Sequence, residues 1–298
     1  MLRRLSLLIT LGLLLPVTVA AENRLGVLEN AVQTAAALQP GLTGYRVTVH
    51  TDRIATTIAA MTTGMPPEMP RPQPPSVVKY WRRGTPQGLI VAEGAQASPF
   101  MQQMVERVSA NLAIEPELLL LPPHRASERQ RLADLATLRS TETKLADSVL
   151  QRVELIFPAP ADVGDAFYGS GLRLPQQGIT QLQFDIDAGT RTVHELTVQT
   201  GGGEQFLAEF RYRPVTGGMV PERVRVTSPD GKVDDRLEVT FTEVDGFLLP
   251  AKTVRVLNRP GLQDNLEVTF SDYRVNQPFP AEVEALFAMP VKAAPKLP

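Results

Sequence analysis

The chain has 298 residues, no cysteine, and 30 basic against 32 acidic residues. That length supports a core held by packing alone, and the missing cysteine excludes disulfides, thiolate metal centres and a cysteine nucleophile. Near-neutral charge without a basic block, and aromatics not interleaved with Lys or Arg, argue against a nucleic-acid partner.

Arg3 and Arg4 precede an apolar run from Leu5 to Val19, broken only by small residues and Pro16. With Val19 and Ala21 placed to suit a signal peptidase, residues 1–21 read as a secretory signal cleaved after Ala21, with Ala20 as the alternative. The run is shorter than the roughly 20 residues of a membrane-spanning helix. Without Arg3 and Arg4, 28 basic residues face 32 acidic ones. No cysteine follows the cleavage point to take a lipid. Residues 22–298 are therefore expected to form one domain, free in the periplasm and monomeric.

Leu25, Leu28, Val32, Ala35 and Ala36 recur at helical spacing, and Pro40-Gly41 stops that helix. Tyr45, Val47 and Val49 alternate with polar residues as in a half-buried strand. Asp52 is placed to cap a helix with Ile54, Ile58, Met61 and Met65 on one face. The proline-dense stretch from Met65 to Pro75 excludes helix and sheet interior. It reads either as a linker or, better, as a long loop, so residues 52–76 together form a Met/Pro-rich lid insertion. Val77–Trp81 and Leu89–Ala92 form a hairpin. Pro99–Ala113 is helical, with Phe100, Met104, Val108 and Leu112 in one stripe. Ser127 and Gln130 make a capping box for a helix towards Leu138. Thr141–Lys144 and Val149–Phe157 read as strands, although Leu145–Val153 also fits a helix.

From Ile179 to Phe279 the period is two almost throughout, punctuated by turns at Asp187-Ala-Gly189, Gly201–Gly203, Gly217-Gly218, Pro229-Asp-Gly231 and Asp245-Gly246. Leu237-Glu-Val-Thr-Phe241 returns as Leu266-Glu-Val-Thr-Phe270. Pro221-Glu-Arg-Val-Arg-Val226 is echoed by Pro250-Ala-Lys-Thr-Val-Arg-Val256 with one residue inserted. The fold class is α+β: an antiparallel curved sheet, wet on one face and covered on the other by a few short helices.

No catalytic apparatus is grouped. His50, His124 and His194 are scattered, and His50 and His194 fall on polar strand faces. No Gly-x-Ser-x-Gly elbow or phosphate loop occurs, and Gly169-Ser-Gly171 signals a loop. Asp185 and Asp187 share a strand side, but Asp187 reads as a turn residue. The reading is a protein that is not an enzyme, with neither metal nor cofactor. Met61, Met65, Met69, Met101 and Met104 cluster in the cover. Such thioethers suit a surface that repacks around apolar ligands, although a methionine stripe is more often core than ligand site.

The ending Leu266-Glu-Val-Thr-Phe-Ser-Asp-Tyr-Arg-Val-Asn-Gln-Pro-Phe-Pro280 with Leu286-Phe287, and the preceding Gly246–Val256, resemble the last hairpins of the LolA/LolB/RseB superfamily of periplasmic lipoprotein carriers and sensors. The opening helix and Gly44-Tyr45 fit its start. The resemblance implies an unclosed barrel with helices as a lid over an apolar cavity. It further implies a carrier of acyl chains, whether of lipid or lipoprotein, or alternatively a sensor module that binds another envelope protein. On this reading the ligand wall is Tyr45, Val47, Val49, Phe206, Phe210, Val239, Phe241, Val268 and Phe270. The lid is Ile54, Ile58, Met61, Met65, Met69 and Trp81.

Overall fold

Alternating buried and exposed side chains build one antiparallel sheet of twelve strands in the computed structural model, which describes residues 25–64, 66, 75–85, 88–93, 119–145 and 148–288. The strands are β1 Gly44–His50, β2 Ser76–Arg82, β3 Leu89–Glu93, β4 Thr137–Leu145, β5 Ser148–Ala161, β6 Ile179–Asp187, β7 Val193–Thr200, β8 Gln205–Val215, β9 Gly218–Thr227, β10 Asp234–Val244, β11 Phe247–Arg259 and β12 Leu262–Val275. They lie in the order β3-β2-β1-β12-β11-β10-β9-β8-β7-β6-β5-β4. The end strands β3 and β4 do not pair, so the barrel is unclosed.

Cross-strand register shows how the pattern becomes a core. Val153, Phe184, Leu196, Ala208 and Val226 stand directly opposite one another across β5 to β9, all buried. The reverse face carries ion pairs such as Arg223–Glu238 at 3.0 Å and Lys252–Glu267 at 2.8 Å, which keep it wet. Asp245 and Gly246 both adopt positive φ, as a two-residue hairpin turn between β10 and β11 needs. Asp187 Oδ1 accepts from the Gly189 and Thr190 N–H groups at 2.9 and 2.7 Å, which makes it a turn residue.

Four helices accompany the sheet among the described residues: α1 Gly26–Ala36, α2 Asp52–Met61, α3 Ala126–Leu135 and α4 Ala281–Ala288. Leu28 and Val32 of α1, with Leu132 of α3, join the main core on the inner face of β5 to β10. Arg129 of α3 is fully buried; it meets Glu29 of α1 at 2.9 Å and donates to the carbonyls of Pro122 and Ala166 at 2.7 and 3.0 Å. Ile54 and Ile58 of α2 cover Val49, Val77, Leu266 and Val268 at the other end of the inner face. α4 takes the outer face instead, packing Val283 and Phe287 on Val78 and Tyr80.

Three local expectations need correction. Thr51, not Asp52, caps α2: its Oγ1 accepts from the Arg53 N–H at 3.3 Å. The Ser127–Gln130 capping box does not form, because a 3-10 turn at Pro123–Arg125 has already wound the chain and α3 starts at Ala126. That helix ends at Leu135, and Leu138 belongs to β4. Of the two readings of residues 148–153, the strand is the one that forms. The signal segment, the Pro99–Ala113 helix, Met65, Met69, Met101, Met104 and the Pro-rich stretch except Pro66 and Pro75 lie outside the described residues.

Candidate functional site

The expected wall and lid residues that the structure describes fall into three groups. Tyr45, Val47 and Trp81 cluster with Leu42, Leu249 and Val275, and the Tyr45 ring stacks on Trp81 with centroids 5.2 Å apart. Val49, Ile58 and Val268 lie together beneath α2. Half-buried Phe270 packs against both groups. Phe206, Phe210 and Val239 lie in the main core, with half-buried Phe241 against it. Met61 is the last residue of α2, and Met65 lies outside the described residues.

A polar band on β10 to β12 runs between these groups. Thr253, buried, stands between Val239 and Val268, and Arg255, 4% exposed, stands between Leu237 and Leu266. Asp264 meets Arg53 of α2 and approaches Arg255 at 3.9 Å; Asp235 accepts from Arg259 Nε at 2.6 Å and the Asn258 N–H at 3.0 Å. Burial and then the neighbouring Arg173 guanidinium hold Arg255 below the usual arginine range, while Asp264 and Asp235 pull the other way.

The internal repeat explains this band. Each copy has a bulge just after its proline, at Glu222 and at Ala251. Counting from the bulge, Thr253 and Arg255 take the inward places of Val224 and Val226. The inserted residue has slipped the Val-Arg-Val motif by one, so Arg225 points to solvent and Arg255 points in. The insertion was the available signal.

One apolar pocket opens beside the Tyr45–Trp81 stack. It measures about 170 Å³ and is lined by Ala35, Ala36, Leu38, Leu42 and Trp81, with Arg83 and His124 at its rim. Arg83 fixes the rim: it donates to the carbonyls of Leu42, Ala36, Leu38 and Gln39 at 2.7, 2.8, 2.8 and 3.0 Å. Its charge also suits the C-terminal end of α1. The Gly217-Gly218 turn presses on the same loop; a Cβ on Gly218 would lie 2.7 Å from Leu38 Cδ2. Burial and then Arg125 lower the His124 pKa, which leaves the ring neutral at pH 7. Of the expected ligand residues, Trp81 lines this pocket; Leu38 and Leu42 were not foreseen, because a loop position carries no period to read. Among the described residues no group of His, Asp or Glu could hold a metal, and no helix is long and apolar enough to cross a membrane.

No family model matches the chain, and no curated protein matches it. A LolA superfamily protein of Nitrosomonas europaea is 8% identical, with 86% of this chain and 96% of that one covered at a TM-score of 0.33. A DUF1329 family protein of Desulfovibrio piger is 8% identical, covering 87% and 96% at 0.32. A chain of the MucA/MucB complex of Pseudomonas aeruginosa is 10% identical, covering 90% and 97% at 0.21. At such TM-scores the unclosed sheet rests on its own strand order and register.

Proposed function

We propose that this chain is an exported, non-catalytic binder of acyl chains, a carrier of lipid or lipoprotein, which seats an apolar chain end against Trp81. The pocket beside Trp81 carries this reading, because its walls are apolar and its rim is pre-set by the four Arg83 hydrogen bonds. A cavity of similar size, about 150 Å³, takes up benzene. The pocket therefore holds a terminal segment, and a whole chain needs more of the inner face uncovered. α2 is the cover that moves, because among the described residues it rests on the sheet through Ile54, Ile58 and the Arg53–Asp264 pair.

Trp81 is the sole tryptophan, so its fluorescence reports the site directly. A fatty acid brominated at its terminal carbon should quench Trp81 saturably, and one brominated beside the carboxylate should quench less. Ala36→Trp is unsuitable for this optical test, so Ala36→Leu serves as the filling variant, and it should weaken quenching while leaving the circular dichroism unchanged. Saturable quenching that Ala36→Leu does not alter, or no quenching by either acid, overturns the proposal.

A second reading, capture of a partner polypeptide, is favoured by β4. Among the described residues this nine-residue strand pairs on one side only, with β5, and Thr137 and Arg139–Lys144 are exposed. An open edge of that kind accepts an added strand. Thr141→Pro should then abolish partner capture and leave Trp81 quenching intact.

A further inference from the structure

The outer face of β1, β2 and β12 holds a groove of about 500 Å³, on the opposite side of the sheet from the Trp81 pocket. Its floor is Arg46, Tyr80, Glu93 and Arg274, and its far wall is Gln277-Pro278-Phe279-Pro280, the segment leading into α4. The wall is anchored. Phe279 stacks on Phe287 with centroids 5.7 Å apart and meets Tyr80 edge-on at 5.3 Å. The Arg82 guanidinium covers Phe279 at 5.2 Å while pairing with Glu284 of α4.

The charges on the floor do not balance. Arg46 and Arg274 are directly opposed on neighbouring strands, an arrangement that is destabilising when both carry the same sign. Glu93 faces them. One of its oxygens accepts from Arg46 Nη2 at 2.8 Å and the other from the Tyr80 hydroxyl, so both are engaged. Burial works against the Glu93 charge, but the hydrogen bonds from Tyr80 and Arg46, together with the charges of Arg46 and Arg274, outweigh it and hold the carboxyl below its usual range. The Arg274 side chain is exposed and, among the described residues, makes no hydrogen bond or ion pair of its own, so one carboxylate faces two guanidiniums.

We propose that this groove binds a phosphate group, with Arg274 and Arg46 on its oxygens and the rest of the ligand lying along Phe279 and Pro278. Two guanidiniums on adjacent strands suit a group with several oxygens better than a carboxylate, which a single arginine fork satisfies. Glu93 holds Arg46 in place and Tyr80 holds Glu93, while the exposed Arg274 supplies the second clamp. The phosphate can belong to a soluble ester or to a lipid headgroup; the chemistry at the arginines is the same.

The test uses residues 22–298 and two probes: inorganic phosphate by titration calorimetry, and phosphatidylcholine vesicles with and without phosphatidic acid by co-sedimentation. Saturable binding of either probe is expected. Arg274→Ala should weaken it about tenfold or more, as befits loss of a charged hydrogen bond, and Arg274→Lys by less. Phosphate binding without vesicle binding assigns a soluble ester; vesicle binding that needs phosphatidic acid and Arg274 assigns a headgroup. Arg274 is exposed, so the variants keep the fold, and circular dichroism checks this. Failure of the wild type to bind either probe, or equal binding by Arg274→Ala, overturns the proposal. The outcome is independent of Trp81 quenching.

Discussion

The side-chain amide of Gln39 makes both hydrogen bonds of a strand neighbour with Leu248. Its Nε2 donates to the Leu248 carbonyl at 3.0 Å, and its Oε1 accepts from the Leu248 N–H at 2.5 Å. Its own N–H donates to the Thr216 carbonyl at 2.9 Å, so one buried residue ties the α1–β1 loop to two hairpin turns. Gln39→Ala leaves the Leu248 groups without these partners and is expected to cost about 1–3 kcal/mol in denaturant melts. Gln39→Glu should cost at least as much at neutral pH, because a carboxylate cannot donate to the Leu248 carbonyl. Both variants should weaken Trp81 quenching.

Arg129 and Glu29 form a pair in which one partner is fully buried. Glu29→Gln removes the counter-charge from a guanidinium that cannot reach water, and Arg129→Met strips two buried carbonyls of a donor. Each should destabilise by about 3–5 kcal/mol. The double variant should lose less than the two losses combined, which a double-mutant cycle measures.

Hydrogen bonds from Arg225 and Arg236 hold the Asp234 carboxyl at a pKa of about 2 against the usual 3.8. A lowered carboxylate contributes stability that is fully present above its unfolded value and is lost as pH falls through its folded value. The Asp234→Asn variant should therefore lag the wild type by a constant amount above about pH 5 and by progressively less towards pH 2. All three side chains are partly exposed, so the lag should be only about 0.5–1 kcal/mol. Urea melts across that range check it.

As the proposed moving cover, α2 should lose amide protection before the sheet does. Amides of Ile54 to Met61 are expected to exchange faster than those of Val239 and Val268, and a bound fatty acid should slow them selectively. Equal protection in the ligand-free protein would mark α2 as part of a sealed core.

The proposed export predicts a mature N-terminus at Glu22. N-terminal sequencing of protein recovered from the periplasmic fraction reads it directly, and retention of Met1 is the contrary outcome.

Much of the sheet was written plainly. Leu237, Val239, Leu266 and Val268 alternate with polar residues over lengths that only a strand uses, and Asp245-Gly246 specifies its turn. Arg255 was harder to place, because the motif around it matches the one around Arg225 and only the inserted residue shows that the face has changed. Ser127 and Gln130 had the spacing of a cap, but Pro122-Pro123 upstream decided where the turn began. The Trp81 pocket gathers residues from α1, a loop, β2 and the Pro123 turn, and no local pattern announces such a meeting. The Arg46–Arg274 opposition likewise depends on register between strands at opposite ends of the chain.

That register carries a temporal consequence. Strands β4 to β12 each lie beside a sequence neighbour and can assemble hairpin by hairpin as they emerge. β1 cannot join them until the last strand arrives: the Thr43 N–H reaches Asn276 Oδ1 across 233 positions. Closure over so long a loop is entropically costly and slow. The first strands made are thus the last secured to the main sheet, and for that interval β1 and the hairpin it leads into are an unsatisfied edge. A chain cut before β12 would keep most of its core residues and still leave β1, paired with β2 alone, without a strand of the main sheet to dock on.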